Sequence, residues 1–433
     1  MSRDESATAA LLAFAASPPA LPDAVRAAAL MLLGDTIAVG VAGSTAPGAD
    51  GVLAAAQGWG AGDTVPILGR HTRLPAAGAA FANGFQIHCL EWDAVHEPAV
   101  VHAMSVVTAA LMSACHARGG VPREAALAAL VVGVDIACVL GLAATTPLKF
   151  FRPATAGLVG ASLACARVAG IAPDRFADVL GLAHAQCAGT MQAHVEGSLA
   201  LPLQVAVAAR AAVTAVDLVS AGLPGPHDAL TGPFGYFPMF DGGDPAAMVA
   251  TLSRAWRTPE ISIKPWPSGR ASHATLATLS GYRAGQIAAI EAHVPPLIAR
   301  LVGRPWQDGM TTAYARLCLP FLVAVMLTDG RIDPRRFTPE NFVDPALRAI
   351  GDRLSIIIDG NPDLNALAPQ RFVLQLSDGG RCEIMVPATL GSPANPLTGE
   401  AYAQKLEFAH SLSAIPGATE RHDPLAVLSG TPL

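Results

Sequence analysis

Two short stretches concentrate the side chains able to do chemistry. The first, Ile263 to His273, reads IKPWPSGRASH and holds Lys264, one of three lysines in the chain beside Lys149 and Lys405. Where so little lysine is spent on solubility, one set among two prolines, a tryptophan, an arginine and a histidine is a candidate for chemistry. Pro265 and Pro267 fix their own φ and push Lys264 and Trp266 towards extended geometry, so the lysine sits on a stiff, non-helical segment. Ser268-Gly269 then makes a turn, and a helix is expected from Ala271 with Arg270, Ser272 and His273 near its start. Free N–H groups and partial positive charge at a helix N-terminus suit an anionic ligand. A proline-rich linker carrying a solvated lysine would use the same residue types.

The second stretch, Leu90 to Ser105, reads LEWDAVHEPAVVHAMS and carries Glu91, Asp93, His96, Glu97 and His102 within twelve residues. Pro98 stops any helix, which makes this a loop between two apolar helices, a place where catalytic groups are commonly displayed. The spacings between Asp93, His96 and His102 are not those of a helix-face metal motif, and a carboxylate beside a histidine more often orients the imidazole. His96 reads as structural and His102 as functional. A third segment, TTPLKFFR, brings Lys149 and Arg152 beside two phenylalanines. Arg152 can grip a carboxylate with two parallel bonds, or equally cap a helix or join a salt bridge.

These loops need rigid elements to hold them. Apolar residues at helical spacing predict helices over 7–16, 22–41, 75–90 (with Asn83 and His88), 103–116, 123–142, 154–169, 173–186 and 203–220. Loops are expected from there to Arg73 after the second of these. Beyond Lys264 the pattern changes. Ile287–His293 alternates, Ser355–Asp359 is a short apolar strand, and Phe372–Leu376 with Cys382–Val386 flank a Ser-Asp-Gly-Gly turn, a hairpin signal. Helices at 311–327 and 345–354 lie between them, and a last helix, 398–411, contains Lys405. The tail from Ile415 is rich in Pro and Gly.

At 433 residues the chain exceeds one ordinary core, so two domains are expected. Hydrophobic residues make up 52% and charged ones 14%, which leaves little charge for surface and points to large buried helices and a subunit interface. A net charge of −6, with no basic stripe, gives no support to nucleic-acid binding. Seven cysteines scattered singly fit reduced thiols in a cytoplasmic protein, and acidic residues ahead of the first apolar run argue against a signal peptide. Ala125–Thr146 is long and apolar enough to span a bilayer. Its Ala and Gly content and the unpaired Asp135 at mid-length favour a helix buried in protein, with no membrane partner.

Taken together, these segments resemble the MmgE/PrpD family of 2-methylcitrate dehydratase, cis-aconitate decarboxylase and iminodisuccinate epimerase. AAFANGFQIHCLEWDAVHEPAVVHAMS is similar to the family's AAFxNGxxAHxLDFDDTHxxxxxHPS, KPWPSGRASH to its KPYPxCRxTH, and RLCLPFLVAVMLTDGRI to its FSxPYxVAxALLDG. The likeness covers nearly the whole chain. It implies a mainly α protein: a large all-α helical domain formed by residues 1–265 and 398–433, and a smaller α+β lid domain, 266–397. It also implies a homodimer and chemistry on small polycarboxylates without cofactor or metal.

By the same resemblance, Asp93, His102 and Lys264 stand where the family keeps an Asp, its catalytic His and its active-site Lys. His96 matches a further motif His. Other positions depart: Arg152 takes the place of a second His, Leu201 of a lysine, Gln204 of a histidine, Phe321 of a tyrosine and Gly269 of a histidine. Removing a proton next to a carboxylate needs a base, cations for the developing enediolate and, where hydroxide leaves, an acid. The expected catalytic set is His102 as base or acid, Asp93 orienting it, and Lys264 beside the carboxylate. Arg152, Arg270, His96, His273, Ser268 and Gln204 are the expected substrate contacts. A dehydratase-like lyase is the first reading, an epimerase or isomerase of an amino- or imino-dicarboxylate the second, and a catalytically silent acid-binding homologue the third.

Overall fold

The computed structural model describes residues 3–363, 366–415 and 423–431. Helix accounts for 54% of the residues and strand for 10%, which makes the chain mainly α. Apolar side chains gather into two separate cores. The larger runs from Leu11 to Ile263 and takes in Ala409, Leu412, Leu425 and Leu428, so the C-terminal helix Gly399–His410 closes on the first half of the chain. The smaller runs from Ala271 to Leu374. Part of the Pro- and Gly-rich tail lies outside the described residues.

The larger core is a bundle of long helices: Asp23–Ala42, Ala76–His88, Ala103–His116, Arg123–Ala143, Arg152–Val168 and Ala200–Ser220. Ala and Gly dominate these helices because their axes pack closely. A side chain on Gly133 would meet the Gly160 carbonyl at 2.7 Å, and one on Gly160 the Gly133 carbonyl at 2.1 Å. Among the described residues, three helices (residues 23–43, 123–143 and 200–220) are long and apolar enough to cross a membrane by length and composition alone. Of these, Arg123–Ala143 has 83% of its apolar window buried inside the protein. Its mid-length Asp135 is not an orphan there. It accepts hydrogen bonds from Arg257 N, Thr258 N and Thr258 Oγ1 at 2.7–2.9 Å.

The smaller core packs helix Leu319–Asp329 against a four-stranded sheet ordered Leu354–Ile358, Ile287–Val294, Gln370–Leu376, Arg381–Val386. The first pair is parallel and the others antiparallel, the last joined through the expected hairpin. Two expectations are corrected. The segment before Arg73 is not all loop, since Ala49–Gly58 forms a helix whose Leu53 and Ala56 are buried. The single helix expected over 311–327 breaks into Thr312–Ala315 and Leu319–Asp329, because Pro320 cannot continue a preceding turn and instead starts a new one.

Candidate active site

The two motif stretches meet between the two cores. Helix Ala76–His88 delivers His88 at its last residue, and His102 stands immediately before helix Ala103–His116. The intervening loop is strained. Glu91 (φ 53°) and Val100 (φ 54°) hold left-handed backbone that β-branched and bulky side chains disfavour, and both line the cleft described below. Strain retained beside a cleft is what a loop shaped for function, rather than for stability, is expected to show.

Asp93, fully buried, is the hub. Its Oδ2 accepts from His88 Nδ1 at 2.8 Å and Ser105 Oγ, and lies 3.0 Å from His102 Nδ1. The two imidazoles meet edge to face with centroids 4.8 Å apart. Their environments drive them apart. For His102, burial is the main influence and outweighs the pull of Asp93, so its pKa is lowered. For His88, burial acts the same way but Asp93 and Glu91 together overcome it, and its pKa is raised. Asp93 and Glu91 thus shift His88 towards the cation, and burial shifts His102 towards the neutral ring. With Nδ1 turned to Asp93, the lone pair of His102 sits on Nε2, the atom a base needs.

Lys264 lies on an extended segment pinned along its length. Ser262 and Val95 exchange backbone hydrogen bonds at 2.9 and 3.0 Å, Ile263 N donates to Gly391 O, and Trp92 Nε1 donates to Pro265 O. Gly391 is required here: at φ 88°, any side chain would meet the Ile263 carbonyl at 2.0 Å. The Lys264 ammonium donates to the Glu91 carbonyl at 2.9 Å, approaches Glu91 Oε2 at 3.3 Å and stands 3.9 Å from Asp93 Oδ1. Burial disfavours both carboxylates. Lys264 and the imidazoles more than offset it for Glu91, leaving its pKa at about 2, and the two imidazoles do so for Asp93, holding it well below the usual range. Ligand atoms of His88, Asp93 and His102 lie within 4.8 Å of one another, which could admit a metal ion. Asp93 stands at ordinary hydrogen-bond distance from each imidazole, and the lysine ammonium already supplies positive charge beside them.

These groups face a cleft whose empty space, open mouth included, is about 780 Å³. Of the expected site residues, His102, Lys264, Arg152 and Arg270 line it, with Asp93 behind them. Both arginines are already engaged. Arg152 Nε bonds Asp241 at 2.9 Å, and its other nitrogens bond the Ala99 and Thr146 carbonyls. Arg270 Nε bonds Glu97 at 2.9 Å and its terminal nitrogens reach the Leu390 and Thr389 carbonyls. The remaining expected contacts are outside the lining. His96 is closed off by Glu260 at 3.0 Å and by the Ala99 N–H. His273 and Ser268 are buried behind Trp266, their polar atoms bonded to neighbouring protein groups. Gln204 caps the Thr190 N–H. Nor is the turn after Lys264 an open anion site, since Gly269 N bonds Arg316 O and Ser272 N bonds Gly269 O.

Three contributors were not singled out from the sequence. His88 ends an apolar helix and looks like core until its contact with Asp93 is seen; its position five residues before that aspartate was the available signal. Ser105 reads as a helix residue but bonds the same carboxylate. His194 lines the cleft and an adjoining hollow containing Arg300 and Arg304; burial first, then Arg304, lowers its pKa to about 4. No motif marks it.

The MmgE/PrpD N-terminal domain matches residues 10–248, and the MmgE/PrpD C-terminal domain matches residues 271–420. The chain belongs to the MmgE/PrpD family. The boundary between the two family domains falls on the segment that carries Lys264, so both contribute walls to the cleft. Similar proteins include the cis-aconitate decarboxylase-like protein oryM of Aspergillus oryzae, 24% identical over 90% of this chain and 86% of that protein. Human cis-aconitate decarboxylase is 24% identical over 77% of this chain and 72% of its own length. The mouse enzyme is 24% identical over 64% and 60% respectively. The family and these relatives mark the chain as one of a dehydratase- and decarboxylase-type enzyme family.

Proposed function

We propose that this protein is a lyase acting on a small carboxylic acid by removing the proton next to its carboxylate. The observation that carries the reading is His102, its Nδ1 3.0 Å from Asp93 Oδ2, its pKa lowered by burial, lining the same cleft as Lys264. His102 Nε2 takes the proton from the α-carbon. The C–H electron pair moves into the carboxylate to give an enediolate, whose added charge the Lys264 ammonium stabilises. When the pair returns, it forms a C=C bond as hydroxide leaves the β-carbon, and the proton held on His102 accompanies hydroxide as water. Asp93 keeps the imidazolium formed in the first step in place, and His88, bonded to Asp93 at 2.8 Å and 3.7 Å from Glu91, stands between the two carboxylates.

A second reading is favoured by one feature of the same geometry. His96 is closed off by Glu260 and the Ala99 N–H, and Asp93 and Glu91 shift His88 towards the cation, which leaves His102 as the base best placed for both halves of a proton transfer. A single base that returns the proton to the same carbon or its neighbour would be an isomerase or epimerase. Incubation with candidate acids in D₂O tests the shared first step by NMR. Loss of the α C–H signal is expected with the native protein and not with His102→Ala. Exchange with none of a broad set of carboxylic acids would rule out both readings, and formation of an alkene product separates the first from the second.

A further inference from the structure

The cations around the cleft are compensated unevenly. Lys264 stands 3.3 Å from Glu91, Arg152 2.9 Å from Asp241 and Arg270 2.8 Å from Glu97. Arg152 keeps two unbonded N–H groups, yet its charge is already met by that aspartate. The adjoining hollow, about 820 Å³ with its open mouth, is different. Among the described residues no carboxylate lines it, and neither Arg300 nor Arg304 touches one. Arg304 is held in place all the same. Its Nη2 donates to the His194 carbonyl at 3.1 Å, and its guanidinium lies 4.7 Å from the centre of the Tyr314 ring. That ring is itself fixed by a bond from its hydroxyl to Pro305 O at 2.9 Å. Arg304 Nη1 is buried without an acceptor, and a donor left so is costly until an oxygen meets it. The hollow and the cleft are continuous, since Leu148, Met191, His194 and Leu301 line both. The charge of Glu91, the partner of Lys264, is felt at both Arg304 and His194, so the guanidinium lies within electrostatic range of the lysine site.

We infer that Arg304 is a specificity-determining residue: it takes a second carboxylate of the substrate, while Lys264 takes the one next to the reacting carbon. This rests on the carboxylic-acid reading above and assigns one more residue within it. Among the described residues only one guanidinium N–H of Arg304 is bonded, which leaves a pair for the two oxygens of a carboxylate. The exposed Arg300, in the same hollow, adds positive charge at its edge. An anion that enters there meets a cation not yet paired, whereas at Arg152 it would have to share one with Asp241.

Calorimetry on the full-length protein, apart from any turnover, compares butanoate, pentanoate and hexanoate with butanedioate, pentanedioate and hexanedioate. In native protein the best di-acid should bind at least about tenfold more tightly than the mono-acid of its length, the scale of a hydrogen-bonded charge pair. Arg304→Gln should abolish that preference and leave mono-acid affinity within about twofold, which also shows that the variant is folded. Native protein that binds mono-acids as tightly as di-acids, or binds neither, would overturn the inference. So would a preference that survives Arg304→Gln, since that would give the second carboxylate to Arg152. If Arg304→Gln does not fold, Arg304→Lys decides, because it keeps the charge without the planar fork. A reduced di-acid preference at unchanged mono-acid affinity then supports the assignment, and an undiminished one overturns it. The D₂O experiment reads the other claim independently. An Arg304-dependent preference without proton exchange removes the proposed reaction and leaves the binding assignment standing; di-acid exchange unaffected by Arg304→Gln does the reverse.

Discussion

Lys264 and Lys405 are near twins by local criteria. Both are buried, both face a carboxylate, and both donate to a carbonyl of the same turn, Lys264 to Glu91 and Lys405 to Trp92. Their settings differ. Lys405 comes from the C-terminal helix, contacts Asp35 on helix Asp23–Ala42 and lies 5.4 Å from the Trp92 ring centre, sealed inside the bundle. Lys264 opens on the cleft and shares its carboxylates with two imidazoles. Burial and pairing alone therefore do not mark a functional lysine. What separates the two is access, together with acid–base neighbours whose pKa values are pushed in opposite directions.

The comparison breaks most sharply through activity. Once a turnover assay is in hand, His102→Ala should lower kcat/KM by about 10²–10⁴-fold, the usual contribution of a positioned proton-transfer group. Its denaturation midpoint should stay close to that of the native protein. A His102→Ala protein that keeps its rate would place the reaction elsewhere.

Stability should report the opposite pattern at the second lysine. Lys405→Met leaves Asp35 charged, fully buried and without its partner, which costs about 3–5 kcal/mol. Burial already raises the Asp35 pKa and lowers that of Lys405, each against the pull of the other, so neither ion is at ease without its mate. The double variant Lys405→Met with Asp35→Leu should recover most of the loss in urea unfolding, because no lone charge remains. If the double variant is as unstable as the single one, the pair is not what holds the C-terminal helix to the bundle.

Much of this layout was legible in the sequence. Helical spacing, hairpin turn residues and paired prolines act locally, so the long helices, the 372–386 hairpin and the stiff lysine segment follow from neighbouring residues. Asp93 could be linked to His102 because both lie in one loop. The rest depends on contacts between distant segments. Nothing near Arg152 or Arg270 in the chain announces that Asp241 and Glu97 will occupy their guanidinium groups, and nothing near Ser268 shows that its hydroxyl turns to Ser272. His88 was hidden for the converse reason: a histidine on an apolar helix face is usually core, and only the folded loop brings it to Asp93.

Backbone support of Lys264 can be loosened without touching a charged group. Gly391→Ala would force apart the Gly391–Ile263 contact and displace the strand bearing the lysine. A shift of about 1 Å in a reacting group can cost up to about 10²-fold in rate, so kcat should fall. An unchanged kcat would mean the strand is positioned by Val95 and Trp92 alone.

The smallest effect is a displacement in pH, and it tests the coupling within the cluster. His102 must be neutral to accept a proton, so kcat/KM is lost as pH falls through its pKa, which burial sets below the ordinary imidazole value of 6.5. The His88 cation pushes that pKa further down. Replacing it, as in His88→Gln, removes the push, and the acid limb should move to higher pH. His88 itself has a raised pKa, so the stability from its charged form is full below about 6.5 and fades as pH rises through the raised value. In native protein, loss of that proton also relieves His102 of its like charge, which makes the imidazole a stronger base on the alkaline side. Lys405→Met removes a cation from the far side of the same turn and should leave the acid limb where it was. Equal shifts in the two variants would show that the two lysine environments are one electrostatic unit after all.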